Sequence, residues 1–297
     1  MGSEKAVQSK RYKKPKPVRV NRSSAGNFGI TLFLILLAIV MALPLVYTIG
    51  NAFKPLSELW LFPPPLLPQN PTFRNFTDLF VLLQNSWVPV SRYLFNTIMI
   101  TTVGTVGQVF LASMCAYPLA KHTFPGKKWI FSLIVASLMF NASVTGIPNY
   151  LTMVRLGWID TYWSIIIPAV GSSMGLYLMK QFMETSLPDA LLEAAKIDGA
   201  NEAQIFYRIV LPNVKPAWLT LTIFSVQALW NMGSSIYIYS EDLKTFPYAI
   251  SQILTGGIAR AGVGSAVTVI MMLVPIGVFV LTQSNVVKTM STSGMKD

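Results

Sequence analysis

The sequence predicts an all-α integral membrane protein with six transmembrane helices and a bent cytoplasmic loop between the fourth and the fifth. Three observations carry that prediction. Of the 297 residues, 53% are hydrophobic and only 12% are charged, about half the charged fraction usual for a soluble domain; mean hydropathy is positive, at +0.52. Six uncharged runs recur at Phe28–Gly50, Tyr93–Ala120, Trp129–Val154, Thr161–Met179, Ala217–Ser234 and Ala261–Leu281, and about 20 apolar residues span a bilayer. When alternate connections are assigned to opposite sides, 17 of the 23 Lys and Arg residues fall on one side, which the positive-inside rule makes cytoplasmic, with both termini.

In order along the chain, residues 1–27 carry eight Lys or Arg and little that could form a core. They read as a basic cytoplasmic tail able to meet anionic lipid headgroups. The run from Phe28 is too long for a signal-peptide core and lacks a small-residue cleavage site, so it reads as a retained anchor. Five prolines between Trp60 and Pro71 forbid a regular helix and predict an extended external loop, with Trp60 and Trp87 in the interfacial aromatic belt. The basic turn Lys121–Lys128 belongs inside, and residues 149–160 form a short external connection. Pro148 ends the third helix early, and Pro168 interrupts the fourth. With Pro44, Pro275, Gly104 and Gly107, they are candidate hinges. The membrane domain is therefore residues 28–281, with its polar loop at about 180–215 and a cytoplasmic tail at 282–297.

Several classes of function are excluded. The net charge of +11 is not gathered on a soluble domain, so it does not indicate nucleic acid. The single cysteine, Cys115, rules out an intrachain disulfide. No span contains Asp, Glu, Lys, Arg or His, whereas proton-driven carriers and voltage sensors usually need such a group at depth. A sodium-coupled secondary carrier using carbonyl and hydroxyl oxygens is the alternative that survives. The lone His122 sits in the basic turn, where it is expected to be solvated and cannot form a metal site alone. There is no glycine-rich phosphate loop ending in Gly-Lys-Ser/Thr. The chain is therefore expected to bind no cofactor and to be no enzyme, and any ATP must be hydrolysed by a partner.

Neutral polar groups do lie in the spans: Asn96 and Gln108 in the second, Asn141 in the third, and Gln227, Trp230 and Asn231 in the fifth. Amides with aromatic rings suit a sugar, whose hydroxyls need hydrogen bonds and whose CH faces stack on rings. These six residues are the candidate substrate path.

The most informative stretch is Ser186–Pro212, SLPDALLEAAKIDGANEAQIFYRIVLP, with four of the twelve acidic residues. Ser186 followed by Asp189 reads as a capping box for a first short helix, and Asn201 followed by Gln204 as one for a second that stops at Pro212. Gly199 joins them. Glu193-Ala194-Ala195, three residues, Gly199, nine residues and Ile209-Val210-Leu211-Pro212 resemble the EAA signature of permease subunits of binding-protein-dependent ABC importers. AKIDGA at 195–200, YLMKQFMETSLP at 177–188, Trp230-Asn231 and NVVKTM at 285–290 are similar to the carbohydrate branch, in its maltose-type second permease subunit. The Ser/Thr-rich STSG at 291–294 departs from the usual ending.

The resemblance implies a bacterial inner-membrane protein paired with a second permease and two ATPase subunits that hold ATP and Mg, and served by an extracytoplasmic solute-binding protein. Its cargo would be a sugar or oligosaccharide, or another neutral or polar solute of the same superfamily. Glu193 would face a basic group on the ATPase, Ala194 and Ala195 would allow close approach, and Gly199 would make the turn. Asp198, Ile209, Leu211 and Pro212 complete the coupling residues. The external segment 235–260, with Tyr237, Tyr239, Glu241 and Asp242, and the proline-rich loop would meet the binding protein.

Overall fold

A computed structural model describes residues 24–84, 88–233, 235–255, 257 and 260–293. Most of the basic tail, Trp87 and the last four residues lie outside them. Every regular element among the described residues is helical. In chain order they are α1 (Ser24–Ala52), α2 (Leu56–Leu59), α3 (Arg74–Gln84), α4 (Val90–Lys121), α5 (Lys127–Ser137), α6 (Ala142–Arg155), α7 (Trp163–Val170) and α8 (Ser173–Ser186). Next come α9 (Asp189–Ile197), α10 (Glu202–Ile205), a π-helical turn (Phe206–Val210), α11 (Leu211–Asn213), α12 (Lys215–Trp230), a 3₁₀ turn (Glu241–Leu243), α13 (Phe246–Leu254) and α14 (Ala261–Ser293).

The chain divides into two units, Met1–Val46 and Tyr47–Asp297. The described part of the first is the helical stretch 24–46, whose large apolar side chains from Phe28 to Val46 are exposed, as befits a segment whose solvent is lipid or another apolar helix.

Among the described residues, three helices have the length and composition of a membrane crossing, Gly26–Ala52, Val90–Lys121 and Ala261–Gln283, and the bent pair Glu202–Asn213 and Lys215–Trp230 would make a fourth. The other apolar runs are broken where the sequence places breakers. The third divides into α5 and α6 at 138–141, and Pro148 lies inside α6 rather than ending it. That helix extends to Arg155, into residues expected to be an external connection. The fourth divides at Gly171, three residues after Pro168, and Ser172 caps α8 by accepting the Gly175 N–H at 3.3 Å. The fifth, α12, is bent by 74° from the helical segment Glu202–Asn213. The last candidate span, Ala261–Gln283, ends close to the expected boundary, and the helix α14 continues to Ser293 past that point. Nothing in the sequence stops it there, since neither Gly nor Pro intervenes.

Within the second unit, α4 is the central helix. Its 32 residues reach roughly 48 Å at 1.5 Å per residue, and it packs against α7, α8 and α12. Gly104 and Gly107 make this possible: a β-carbon would fall 2.6 Å from Leu229 Cδ1 at the first and 2.6 Å from Val170 Cγ2 at the second. These glycines are close-approach points between helices. A hydrophobic cluster occupies each end of α4, with a small third one between them.

At the N-terminal end of α4, polar bonds dominate. Asn96 is fully buried; its amide donates to the carbonyls of Asp242 and Lys244, both at 2.8 Å, and its oxygen accepts from the Tyr162 hydroxyl at 2.7 Å. The Tyr93 hydroxyl donates to Glu241 at 2.8 Å, and Thr97 accepts the Phe246 N–H at 2.8 Å. The segment expected to be an external loop is thus stapled to α4, and it contains α13. The proline-rich stretch is equally organised. Glu58, only 5% exposed, accepts N–H groups from Gln69 and Asn70, while Lys54 donates to Asn51 and to the Pro65 carbonyl. Trp60 in that stretch is exposed.

Candidate functional site

The polar stretch 186–213 folds as a hairpin at the C-terminal end of α4. Its first arm does not begin at Ser186, which is the last residue of α8; Pro188 occupies the N-cap position and no side chain caps α9. Asp189 therefore sits in the first turn, favourable there for a carboxylate. The turn is a Schellman arrangement: Ala200 N–H bonds to the Ala195 carbonyl at 3.0 Å and Gly199 N–H to that of Lys196 at 3.1 Å. Gly199 adopts φ +79°, a left-handed conformation that an L side chain strains to reach and glycine takes freely.

The second arm opens with the capping box expected of Asn201 and Gln204: the Asn201 side chain accepts the Gln204 N–H at 2.8 Å, and Gln204 accepts the Asn201 N–H at 3.0 Å. Pro212 does not stop this arm. Lacking an N–H, it leaves an i−4 carbonyl without its donor, and the backbone answers with the π-helical turn Phe206–Val210 and continues to Asn213. Side chains cover the carbonyls freed at the bend. Asn213 Nδ2 donates to the Ile209 carbonyl at 2.7 Å and Trp218 Nε1 to that of Leu211 at 3.2 Å.

The hairpin has two faces. Leu192, Ala195, Ile205, Phe206 and Val210 are buried together with Ala112, Ala116 and Tyr117 of α4 and Met179 and Met183 of α8. Each large apolar side chain buried contributes about 1.5–3 kcal/mol, against 0–1 kcal/mol for an exposed ion pair, so packing holds the hairpin down. The opposite face exposes Glu193, Ala194, Asp198, Gly199 and Pro212, with Ile197 at 86% exposure and Tyr207 at 53%. The signature residues are thus divided. Ala195 is packed in the chain's own core, and Ile209 and Leu211 are half-buried.

Charge pins the hairpin's edge to the end of α4. Lys121 Nζ lies 2.8 Å from Asp189, and Glu202 accepts from the Tyr117 hydroxyl at 3.0 Å and from Lys196 at 3.0 Å. His122 Nε2 is 3.4 Å from the same carboxylate, with its ring edge-on to Tyr117 at 4.9 Å. The lone histidine is therefore packed against Tyr117 with its Nε2 buried, rather than solvated, and that nitrogen makes no hydrogen bond. No spacing rule could reveal this network, because Tyr117 and Glu202 are 85 residues apart.

The six substrate-path residues are not brought together. Asn96 is committed to the bonds described above. Trp230 is buried, its indole N–H donating to the Met271 carbonyl at 2.9 Å. Asn231 is exposed and donates to the Gln227 carbonyl at 2.8 Å. Gln227 and Asn141 are exposed. Only Gln108 of the six lines the cavity of about 490 Å³ between α4, α7, α8 and α12. Its walls are largely apolar, including Met174, Leu178, Leu221 and Phe224, with Tyr237 also in the lining. Two of its hydroxyls are already bonded: Ser164 to the Thr161 carbonyl at 2.8 Å and Ser225 to Thr105 at 3.0 Å. No periodic signal marks these residues, since they come from four helices and the segment after α12.

Helices of spanning length, a bundle packed round α4 and a two-faced polar hairpin at one end of it fit an integral membrane permease. The model for binding-protein-dependent transport system inner membrane components matches residues 108–290, and the chain belongs to that family of ABC-importer permeases. It is 32% identical over 218 residues to the protein LplC of Bacillus subtilis (strain 168), covering 70% of this chain and 68% of that one. It is 27% identical over 252 residues to the polygalacturonan/rhamnogalacturonan transport system permease protein YtcP of the same organism, covering 78% and 82%. It is 30% identical over 236 residues to that organism's arabinooligosaccharides transport system permease protein AraQ, again covering 78% and 82%. A solved bacterial ABC transporter involved in the import of the acidic polysaccharide alginate shares the fold, with TM-score 0.69 and 23% identity over 91% of this chain and 99% of that chain.

Proposed function

We propose that the chain forms half of the translocation path of an ATP-driven importer for a sugar or oligosaccharide, and that the Ser186–Pro212 hairpin is where an ATPase subunit engages it. The observation that carries the reading is the division of the hairpin. Its apolar face is buried on α4 and α8, while Glu193, Ala194, Asp198 and Gly199 are left free at a conformationally fixed turn. A rigid projection with one uncommitted face suits docking into a partner's cleft, and the cargo class follows the polysaccharide and oligosaccharide systems named for its relatives.

In this reading the chain crosses the membrane six times, the broken pairs α5–α6 and α7–α8 each serving as one span, with both termini and the hairpin in the cytoplasm of a bacterium. A second permease chain supplies the other half of the path, two ATPase subunits carry ATP and Mg, and an extracytoplasmic binding protein delivers cargo to the face near 235–260. This chain carries out no hydrolysis itself. Uncharged spans suit a neutral cargo, since a charge at depth would need a partner.

The test is uptake into proteoliposomes holding both permeases and the ATPase subunits, with ligand-loaded binding protein outside and ATP within. Uptake should require ATP and disappear in Glu193→Lys while membrane insertion persists. Uptake driven by a sodium gradient without ATP would overturn the proposal in favour of a secondary carrier.

A further inference from the structure

Apolar packing holds the hairpin to the chain without fixing its angle, because dispersion and hydrophobic contacts are not directional. Direction comes from the edge network. A single carboxylate, Glu202, accepts from Tyr117 of α4 and from Lys196 of the other arm of the hairpin, each at 3.0 Å, and lies 3.4 Å from His122 Nε2 without a hydrogen bond to it. Lys121 and Asp189 add a second tie at 2.8 Å. The turn is itself braced, for Lys127 Nζ donates to the His122 carbonyl at 3.0 Å. The end of α4, the basic turn and the other arm of the hairpin therefore meet at one side chain. Glu202 lies outside the quoted EAA residues and is half-exposed. Ion pairs of that exposure add little to stability, so the geometry of the network, not its energy, calls for an explanation.

We propose that Glu202 is a positioning residue: its clasp on Tyr117 and Lys196 locks the hairpin to the end of α4, so that a displacement of the hairpin moves that helix as one body. This rests on the reading that an ATPase subunit pushes on the hairpin. Charge-assisted bonds with fixed donors restrict orientation in a way the apolar face cannot. Without the clasp the hairpin remains attached, but it can pivot on its buried face before α4 follows.

The test uses the full transporter in lipid, with spin labels on Ile197→Cys and Lys128→Cys in a Cys115→Ser background, all three sites being exposed. The 128–197 distance is measured without nucleotide and with ATP, Mg and vanadate. The expected result is one narrow distance, unchanged by nucleotide, in the otherwise native chain. In Glu202→Ala the distribution broadens and shifts by several ångströms with nucleotide. Tyr117→Phe produces part of that shift, and the Tyr117→Phe/Glu202→Ala pair no more than Glu202→Ala alone, as non-additivity within one network requires. A distance in Glu202→Ala that matches the native one in both states would overturn the proposal, as would a native distance that itself shifts with nucleotide. Should Glu202→Ala fail to assemble, Tyr117→Phe and Lys196→Met, which keep the carboxylate, decide by the same measurement. Binding of the ATPase subunits is scored separately. If Glu193→Lys still binds them as the native chain does, the docking reading fails; if it releases them and the Glu202→Ala distance is unmoved, only the clasp fails.

Discussion

The two ends of α4 handle polar residues in opposite ways. At the N-terminal end, hydrogen bonds turn inward: Asn96, Tyr93 and Thr97 tie 241–246 to α4, Glu58 and Asn75 tie 52–75 together, and α3, α4 and α13 share one apolar cluster, making a cap. At the C-terminal end, the hairpin is seated on apolar side chains and keeps one polar face free. Buried hydrogen bonds fix unique positions, because breaking one strands its partner, whereas apolar packing tolerates sliding more readily. The cap is thus built as a preformed platform and the hairpin as a lever whose angle needs a separate lock.

The strongest way to break this contrast is Gly199→Pro. Proline demands φ near −65° where the turn has +79°, and it removes the Gly199 N–H donated to Lys196, at a local cost of about 3 kcal/mol. Uptake should be lost and membrane abundance retained, since the buried face of the hairpin is untouched; normal uptake would show that the turn geometry is irrelevant.

The matching blow to the cap is Asn96→Ala. It strands the Asp242 and Lys244 carbonyls and the Tyr162 hydroxyl and should cost about 2–3 kcal/mol, read as a lower unfolding temperature in detergent with ATPase-subunit binding unchanged. Gly262→Ala should act on the same cap. Its β-carbon would lie 2.3 Å from Asn75 Oδ1, displacing an amide that ties the Ala52 and Lys54 carbonyls, at a cost of about 1–3 kcal/mol.

A smaller, pH-dependent effect belongs to Asp160. The Ser240 hydroxyl and N–H and the Tyr239 N–H bond its carboxylate and hold its pKa below the ordinary 3.8. A carboxylate with a depressed folded-state pKa contributes stability that is present above its unfolded value and lost as pH falls through the folded one. Acid should therefore loosen the 158–162 to 237–240 junction, and Asp160→Asn should remove that part of the pH dependence; proteolysis of this junction as pH is lowered toward and below 3.8 measures it. The least effect is expected from Arg74→Ala. Its pairing with Asp78 spans 3.7 Å between exposed side chains, so stability should move by no more than about 0.5 kcal/mol.

Much of this was legible before any coordinates. Charge-free runs of spanning length, the basic bias and the Glu193 to Pro212 register pointed to the membrane, to the hairpin and to the family, because each is a local pattern. Asn201 and Gln204 announced their capping box for the same reason. Local rules misled where a neighbouring turn intervened: α8 overran Ser186 and took away its role as a cap, and a π turn carried the second arm through Pro212. Polar residues in spans were the least readable. Asn96 and Trp230 looked like ligands for a sugar and are instead bonded to Asp242, Lys244 and Met271, which no periodicity encodes.

The sequence by itself determined the solvent, the helical class and the hairpin's turn, since hydropathy, charge and the freedom of one glycine act over a few residues. Only the tertiary structure decided which face of the hairpin is free, that Ala195 points inward, and that Glu202 meets Tyr117 and His122. Those facts depend on which side of each helix lands against α4, and distant packing sets that.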